Sequence, residues 1–327
     1  MRPFEFHRAE GLDHAAQLTA ADDAMAIAGG TNLLDLMKLQ VETPQTLVDI
    51  NPAGIANIED AGEGLRLGAL ATNTSTASDA RVRRNYPVLA RAILAGATQQ
   101  LRNKATNGGN LCQRTRCYYF TNIDQPCNKR EPGSGCGALK GIARLHAVLG
   151  ASDQCIATYP GDMAVALSAL DATVEIAGQG GAERTVPLRD FHVLPGDTPW
   201  RDNVLEAGEV ITAITLPAPV AGKQIYRKVR ERSSYAFALV SVAAIVEMES
   251  DLITRADLAF GGLAHKPWHD PKIGELLVGQ RPSAKLFDEA ADELLADAQG
   301  YGENDFKIPL ARRTLAAVLA EATGVEL

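Results

Sequence analysis

The five cysteines of this 327-residue chain, Cys112, Cys117, Cys127, Cys136 and Cys155, all fall within one span of 44 positions. Thiols used only for packing would be scattered, so the clustering points to a metal centre. The odd count speaks against a disulfide framework. So does the opening MRPFEFHRAEGLDH, which lacks the charged, then apolar, then small-residue layout of a secretory signal. The gaps between the cysteines are four, nine, eight and eighteen residues. None is the two-residue gap of zinc knuckles or bacterial ferredoxins, so spacing leaves both an iron–sulfur cluster and zinc open. Arg114, Arg116, Lys129 and Arg130 stand among the thiols, where they could offset the negative charge of a four-thiolate cluster.

The segment that carries the cysteines, residues 103–160, is rich in Gly, Asn and Arg and weakly periodic. It reads as a long irregular loop inserted into a folded domain, and such a loop needs something to pin it. The chain is too long for one core of ordinary size, so two or three subdomains are expected. A net charge of -8 argues against a nucleic-acid partner, which needs a basic footprint. No apolar run is long enough to span a bilayer. The default expectation is a cytoplasmic location, with the periplasm open through co-export alongside a signal-bearing partner.

Hydrophobic pattern places the regular elements. Strands are expected at Ala24–Ala28, Thr46–Ile50, Gly64–Leu70, Ala172–Ile176, Val210–Leu216, Gln224–Val229 and Leu258–Leu263, with a further apolar segment at Ala236–Val246. Helices are expected at Thr31–Leu39 (capped by Thr31 or Asn32), Ser75–Arg84, Val88–Ala95 and Met163–Leu170, and two more close the chain. Leu216-Pro-Ala-Pro219 suits a domain boundary, because its prolines cannot occupy a central strand. The six histidines form no ligand-spaced pair, and most are expected at the surface or in loops. Gly62-Glu-Gly64-Leu-Arg-Leu-Gly68 has the wrong interval for a dinucleotide fingerprint and reads as a hairpin turn.

The order strand, Ala28-Gly29-Gly30-Thr31-Asn32, helix makes a place for a pyrophosphate. Paired glycines allow close backbone approach, and the first amides of a helix are free donors at the positive end of its dipole. On spacing alone a plain tight turn is the favoured reading. A second glycine pair lies at Thr106-Asn107-Gly108-Gly109-Asn110.

Four segments in fixed order, AGGTNLLDLMK (28–38), LRNKATNGGNL (101–111), PGDMAVALSALDA (160–172) and YRKVRERSSYAFALVSVAA (226–244), resemble the FAD-binding subunits of the xanthine dehydrogenase and aldehyde oxidoreductase family, the molybdenum hydroxylases. The resemblance implies an α+β chain with a two-part FAD-binding domain of the vanillyl-alcohol-oxidase type over residues 1–218. Its subdomains would be about 1–55 and 56–218, with the cysteine loop at about 112–155. A smaller α+β C-terminal domain would follow over 219–327.

It also implies FAD contacts from Ala26, Ile27, Ala28, Gly29, Gly30, Thr31, Asn32 and Leu33 on one wall. Thr106, Gly108, Gly109 and Asn110 would form the other wall, with Asp162, Ile211 and Lys228 beside them. Without that context, Asp162 and Lys228 read as an ordinary surface ion pair. Some relatives carry an aromatic residue near the flavin where this chain has Gly96. The cysteine loop resembles the [4Fe–4S] insertion of periplasmic aldehyde oxidoreductase and hydroxybenzoyl-CoA reductase flavin subunits. Matched to it, Cys117, Cys127, Cys136 and Cys155 are the ligands, and Cys112, directly after a Gly108–Leu111 strand, is the spare.

The function this implies is electron transfer. A molybdopterin-binding large subunit oxidises an aldehyde or heterocycle, a [2Fe–2S] small subunit relays electrons, and FAD on this chain passes them to a final acceptor. The chain's own side chains are then not catalytic. Two other readings are a self-sufficient flavin oxidase or dehydrogenase and a non-catalytic four-cysteine metal scaffold.

Overall fold

The computed structural model describes all 327 residues and carries its strands in three sheets. The first is parallel, in the order β1-β3-β2, from β1 (Glu5–Arg8), β2 (Ala24–Ile27) and β3 (Thr46–Asp49). Parallel neighbours cannot be joined by a hairpin, so helices at Leu12–Leu18 and Leu33–Lys38 make the crossovers. The second sheet is antiparallel and five-stranded, in the order β4-β5-β8-β6-β7. Its strands are β4 (Ile58–Ala61), β5 (Gly64–Gly68), β6 (Thr173–Ala177), β7 (Glu183–Pro187) and β8 (Val210–Leu216). As expected, Gly62 turns the β4–β5 hairpin, and its φ of +58° suits glycine.

The third sheet is an antiparallel meander of β9 (Lys223–Val229), β10 (Val240–Glu249) and β11 (Leu252–Gly261). β10 is buried on both faces. Val242, Ala244 and Val246 pack under the helices at Pro271–Leu277, Ala284–Leu295 and Lys307–Thr323. The alternate residues Ala243 and Ile245 join the core of the five-stranded sheet. The helix Asp162–Ala169 bridges these two layers. All eight of its residues are buried, as a helix without a polar face must be. Its first residue, Asp162, therefore starts inside the protein.

The structure departs from the sequence reading at several elements. The segment read as one helix over Ser75–Arg84 is two, Asn73–Ser78 and Ala80–Asn85. Asp79 ends the first and caps the second, accepting from the Arg81 amide at 2.8 Å and the Val82 amide at 3.3 Å. The Gly108–Leu111 segment is not a strand but part of a short helix, Asn107–Leu111. The Thr106 hydroxyl caps it, accepting from the Gly109 amide at 3.2 Å. β11 begins six residues before the expected Leu258. β1 was not expected at all: all four of its residues are exposed, so no apolar alternation marks it.

Candidate functional site

β2 delivers the chain to Ala28-Gly29-Gly30-Thr31-Asn32, and the helix begins at Leu33. Neither Thr31 nor Asn32 caps it by side chain, contrary to expectation. The Asn32 carboxamide instead accepts from the Arg114 amide at 3.0 Å, tying this turn to the cysteine loop. The five backbone amides from Gly29 to Leu33 donate to no acceptor within the chain. Consecutive free amides of this kind make a concavity suited to phosphate oxygens.

The two glycine pairs are brought together in space. A Cβ on Gly29 would stand 1.9 Å from the Lys104 carbonyl oxygen, so only glycine lets the 28–32 turn lie against the backbone leading into Thr106. In this second wall, a Cβ on Gly108 would meet the side chains of Ala69 at 3.1 Å and Ile211 at 3.6 Å. Ile211 is thus placed directly behind the glycine. Asn107 is fully buried and locks the turn, donating to the Gly68 carbonyl at 3.2 Å and to Thr76 Oγ1 at 2.9 Å. The Asn110 carboxamide donates to Asn73 Oδ1 at 3.0 Å.

Strand register brings the third element. Lys228 pairs with Ser241 and Tyr226 with Ala243, so both side chains of β9 take the face directed at Asp162. Lys228 Nζ lies 2.7 Å from Asp162 Oδ2, and the Tyr226 hydroxyl donates to Oδ1 at 2.6 Å. The side chains of Lys228 and Asp162 are only 4% and 7% exposed. This is a buried ion pair, and the surface-pair alternative falls. Burial pushes the Asp162 carboxyl up from the usual carboxylate range, while Lys228 and Tyr226 pull against it. Burial and the neighbouring carboxylate drive the Tyr226 hydroxyl far up, which keeps it a donor. Tyr226 escaped the sequence reading, although its two-residue spacing from Lys228 on one strand was the signal available. A Cβ on Gly96 would stand 3.1 Å from Asp162 Oδ2. Gly96 therefore lies directly against the ion pair.

Cys117, Cys127, Cys136 and Cys155 line one small cavity, and Cys112 is not among its walls. Cys127 and Cys136 face each other across an isolated antiparallel bridge. No disulfide links any of the five. No three or more His, Cys, Asp or Glu residues stand close enough together to hold a metal ion. Burial pushes the Cys117 thiol up to about 12 and the Cys155 thiol up to about 11. Cys112 packs against the core of the five-stranded sheet, where burial holds its thiol at about 12.

The basic residues of this loop are largely engaged elsewhere. Arg114 pairs with Glu42 and with Asp202. Lys129 donates to Asp202 at 2.6 Å and to the Pro199 carbonyl at 2.6 Å, anchoring the loop to the segment before β8. Arg130 donates to the carbonyls of Tyr119 and Phe120 at 2.8 and 2.9 Å. Arg116 is the one of the four with no contact to a carboxylate or to a carbonyl outside its own turn: it donates to the Arg114 carbonyl at 3.2 Å and stacks on Phe237.

Arg116 also lines a second cavity together with Cys117, His146, Tyr159, Asp162 and Ser241. This cavity shares Thr115 and Cys117 with the one bounded by the four thiols. His146, His192 and His265 lie outside the helices and strands, and all three are buried. Burial lowers each to about 4, so all three are neutral imidazoles.

A glycine-walled turn with free amides on a small parallel sheet, joined to a five-stranded sheet and an α+β C-terminal unit, is the architecture of an FAD-binding flavoprotein of the molybdopterin dehydrogenase class. The family model described as the FAD-binding domain in molybdopterin dehydrogenase matches residues 2–219, and that of the CO dehydrogenase flavoprotein C-terminal domain matches residues 224–322. The chain belongs to this family, the FAD-binding subunits of the molybdenum hydroxylases, and is an oxidoreductase subunit. It is 53% identical to the aldehyde oxidoreductase FAD-binding subunit PaoB of Escherichia coli strain K12, over 98% of this chain and 99% of that one. It is 25% identical to the carbon monoxide dehydrogenase medium chain of Afipia carboxidovorans, over 99% and 96%. Among solved structures, quinoline 2-oxidoreductase from Pseudomonas putida 86 superposes with a TM-score of 0.75 at 25% identity, covering 99% of this chain and 98% of that one. Carbon monoxide dehydrogenase from Hydrogenophaga pseudoflava shares the fold with a TM-score of 0.77 at 23% identity, covering 100% and 99%.

Proposed function

We propose that this chain is the electron-transfer subunit of a heteromeric molybdenum aldehyde oxidoreductase, with FAD on its two glycine walls and a [4Fe–4S] cluster on Cys117, Cys127, Cys136 and Cys155. The observation that carries the reading is the junction of the two cavities. Cys117 belongs to the four-thiol cavity and also to the one that reaches Asp162. Four thiols around a common space supply the four-thiolate ligand set that a [4Fe–4S] cluster takes.

FAD, when bound, supplies the conversion between one- and two-electron transfer. The residues of this chain hold and tune it. The amides of Gly29 to Leu33 would receive the pyrophosphate, and the backbone around Gly108 and Asn110 would form the facing wall. Lys228 would supply a buried positive charge that favours added electrons, with Asp162 and Tyr226 fixing the ammonium in place. The partners proposed are a [2Fe–2S] small subunit and a molybdopterin-binding large subunit. An aldehyde substrate class is supported by the 53% identity to PaoB.

Anaerobic purification tests the reading. The protein should show flavin absorption, a broad iron–sulfur shoulder and about four irons per chain. Zinc without iron would remove the cluster, and colourless protein that binds no FAD would end the proposal.

A further inference from the structure

His146 stands where the two cavities meet. Its Nε2 lies 3.1 Å from Cys117 Sγ, and its side chain lines the cavity that also holds Asp162. The residue is 2% exposed, and its Nδ1 meets no partner. A sulfur that ligates iron is a thiolate with no proton to give, so across this 3.1 Å contact Nε2–H is the donor and Cys117 Sγ the acceptor.

The placement is enforced from the far end of the chain. Asn304 Nδ2 donates to the His146 carbonyl at 3.3 Å and Lys307 Nζ donates to the same carbonyl at 2.9 Å. Both side chains are fully buried, and Lys307 also reaches the carbonyls of Leu145 and Gly262 with no carboxylate beside it. A fully buried lysine amine used only to hold backbone carbonyls is costly, and a plain loop would not need it. Two residues about 160 positions downstream thus fix the backbone from which the imidazole reaches the sulfur.

We infer that His146 is a positioning residue for the iron–sulfur cluster, donating a hydrogen bond to the Cys117 sulfur and raising the cluster's reduction potential. The inference rests on the [4Fe–4S] reading above. A donor to a ligating thiolate withdraws electron density from the iron, and the more negative reduced state gains most from it. Because the same ring borders the cavity of Asp162, the bond would adjust the cluster on the side that faces the flavin.

The test uses the full-length chain, purified anaerobically, as wild type, His146→Leu and His146→Gln. Iron content and an EPR-monitored redox titration are measured on each. All three should retain about four irons per chain. At the wild-type midpoint, His146→Leu should show an approximately tenfold lower ratio of reduced to oxidised cluster, about 59 mV for one electron. Gln keeps an N–H donor and should recover most of that shift. Iron-loaded His146→Leu with the wild-type potential overturns the inference.

Should His146→Leu fail to assemble, wild-type protein carrying ¹⁵N-histidine decides the matter. Pulsed EPR of the reduced cluster should show coupling to one imidazole nitrogen and to an exchangeable proton, and their absence overturns the inference. Wild-type protein without iron overturns the cluster reading itself, and the iron assay separates that failure from a misassigned His146.

Discussion

Replacing Gly29 by alanine tests whether the two glycine walls form one site. The added Cβ would stand 1.9 Å from the Lys104 carbonyl oxygen and 2.7 Å from its carbon. Both are backbone atoms, so no side chain can swing away. Bringing the nearer contact to 3.0 Å requires the turn and the Lys104 segment to separate by about 1 Å. Gly29 is not among the glycines with positive φ, so the substitution introduces crowding without left-handed strain. A displacement of about 1 Å in a preorganised site costs about 100-fold. For FAD binding this corresponds to about 2.8 kcal/mol.

The assay is titration of FAD into apoprotein by calorimetry, backed by the flavin-to-protein ratio on purification. Gly11→Ala is the control, because a Cβ there meets nothing within 4 Å. If Gly29→Ala bound FAD as tightly as wild type, the turn would not be a cofactor wall and the site assignment would fail.

Three further outcomes are expected. Lys228→Met leaves Asp162 buried without its cation, so urea unfolding should show a loss of about 3–5 kcal/mol, partly restored by adding Asp162→Asn. Cys136→Ser should abolish stoichiometric iron binding while Cys112→Ser leaves it intact, as read by metal analysis, and the reverse result would reassign the ligands. Hydrogen bonding from Arg81 holds the Asp79 carboxyl below its ordinary range. Its contribution to stability should therefore be complete above about pH 4 and fade as pH falls through the folded-state pKa. Asp79→Ala should cost about 1 kcal/mol at neutral pH and flatten the acid limb of a thermal-melt profile.

Much of the site is legible in the sequence, because its chemistry depends on local order along the chain. A strand, two glycines and a helix start in succession leave free amides wherever they occur, and the turn at Gly29 has them. Clustered thiols in a loop without periodicity need a common partner, and four of them do share a cavity. The departures are also local. Asp79 looks like a residue inside a helix until its carboxylate is seen capping the next one. Gly108–Leu111 looks like a strand until Thr106 is seen closing a helical turn.

The sequence by itself determined the family, the α+β class and the two glycine turns, since these follow from short-range pattern and from residues that can adopt few conformations. Only the tertiary structure decided that Asp162 and Lys228 are a buried pair, that Tyr226 completes it, and that His146 touches Cys117. Each of these joins segments far apart in the chain through the register of β9 on β10 or the packing of the C-terminal helices. Such contacts depend on which face of a strand or helix is turned inward, and that is settled by burial across the whole fold.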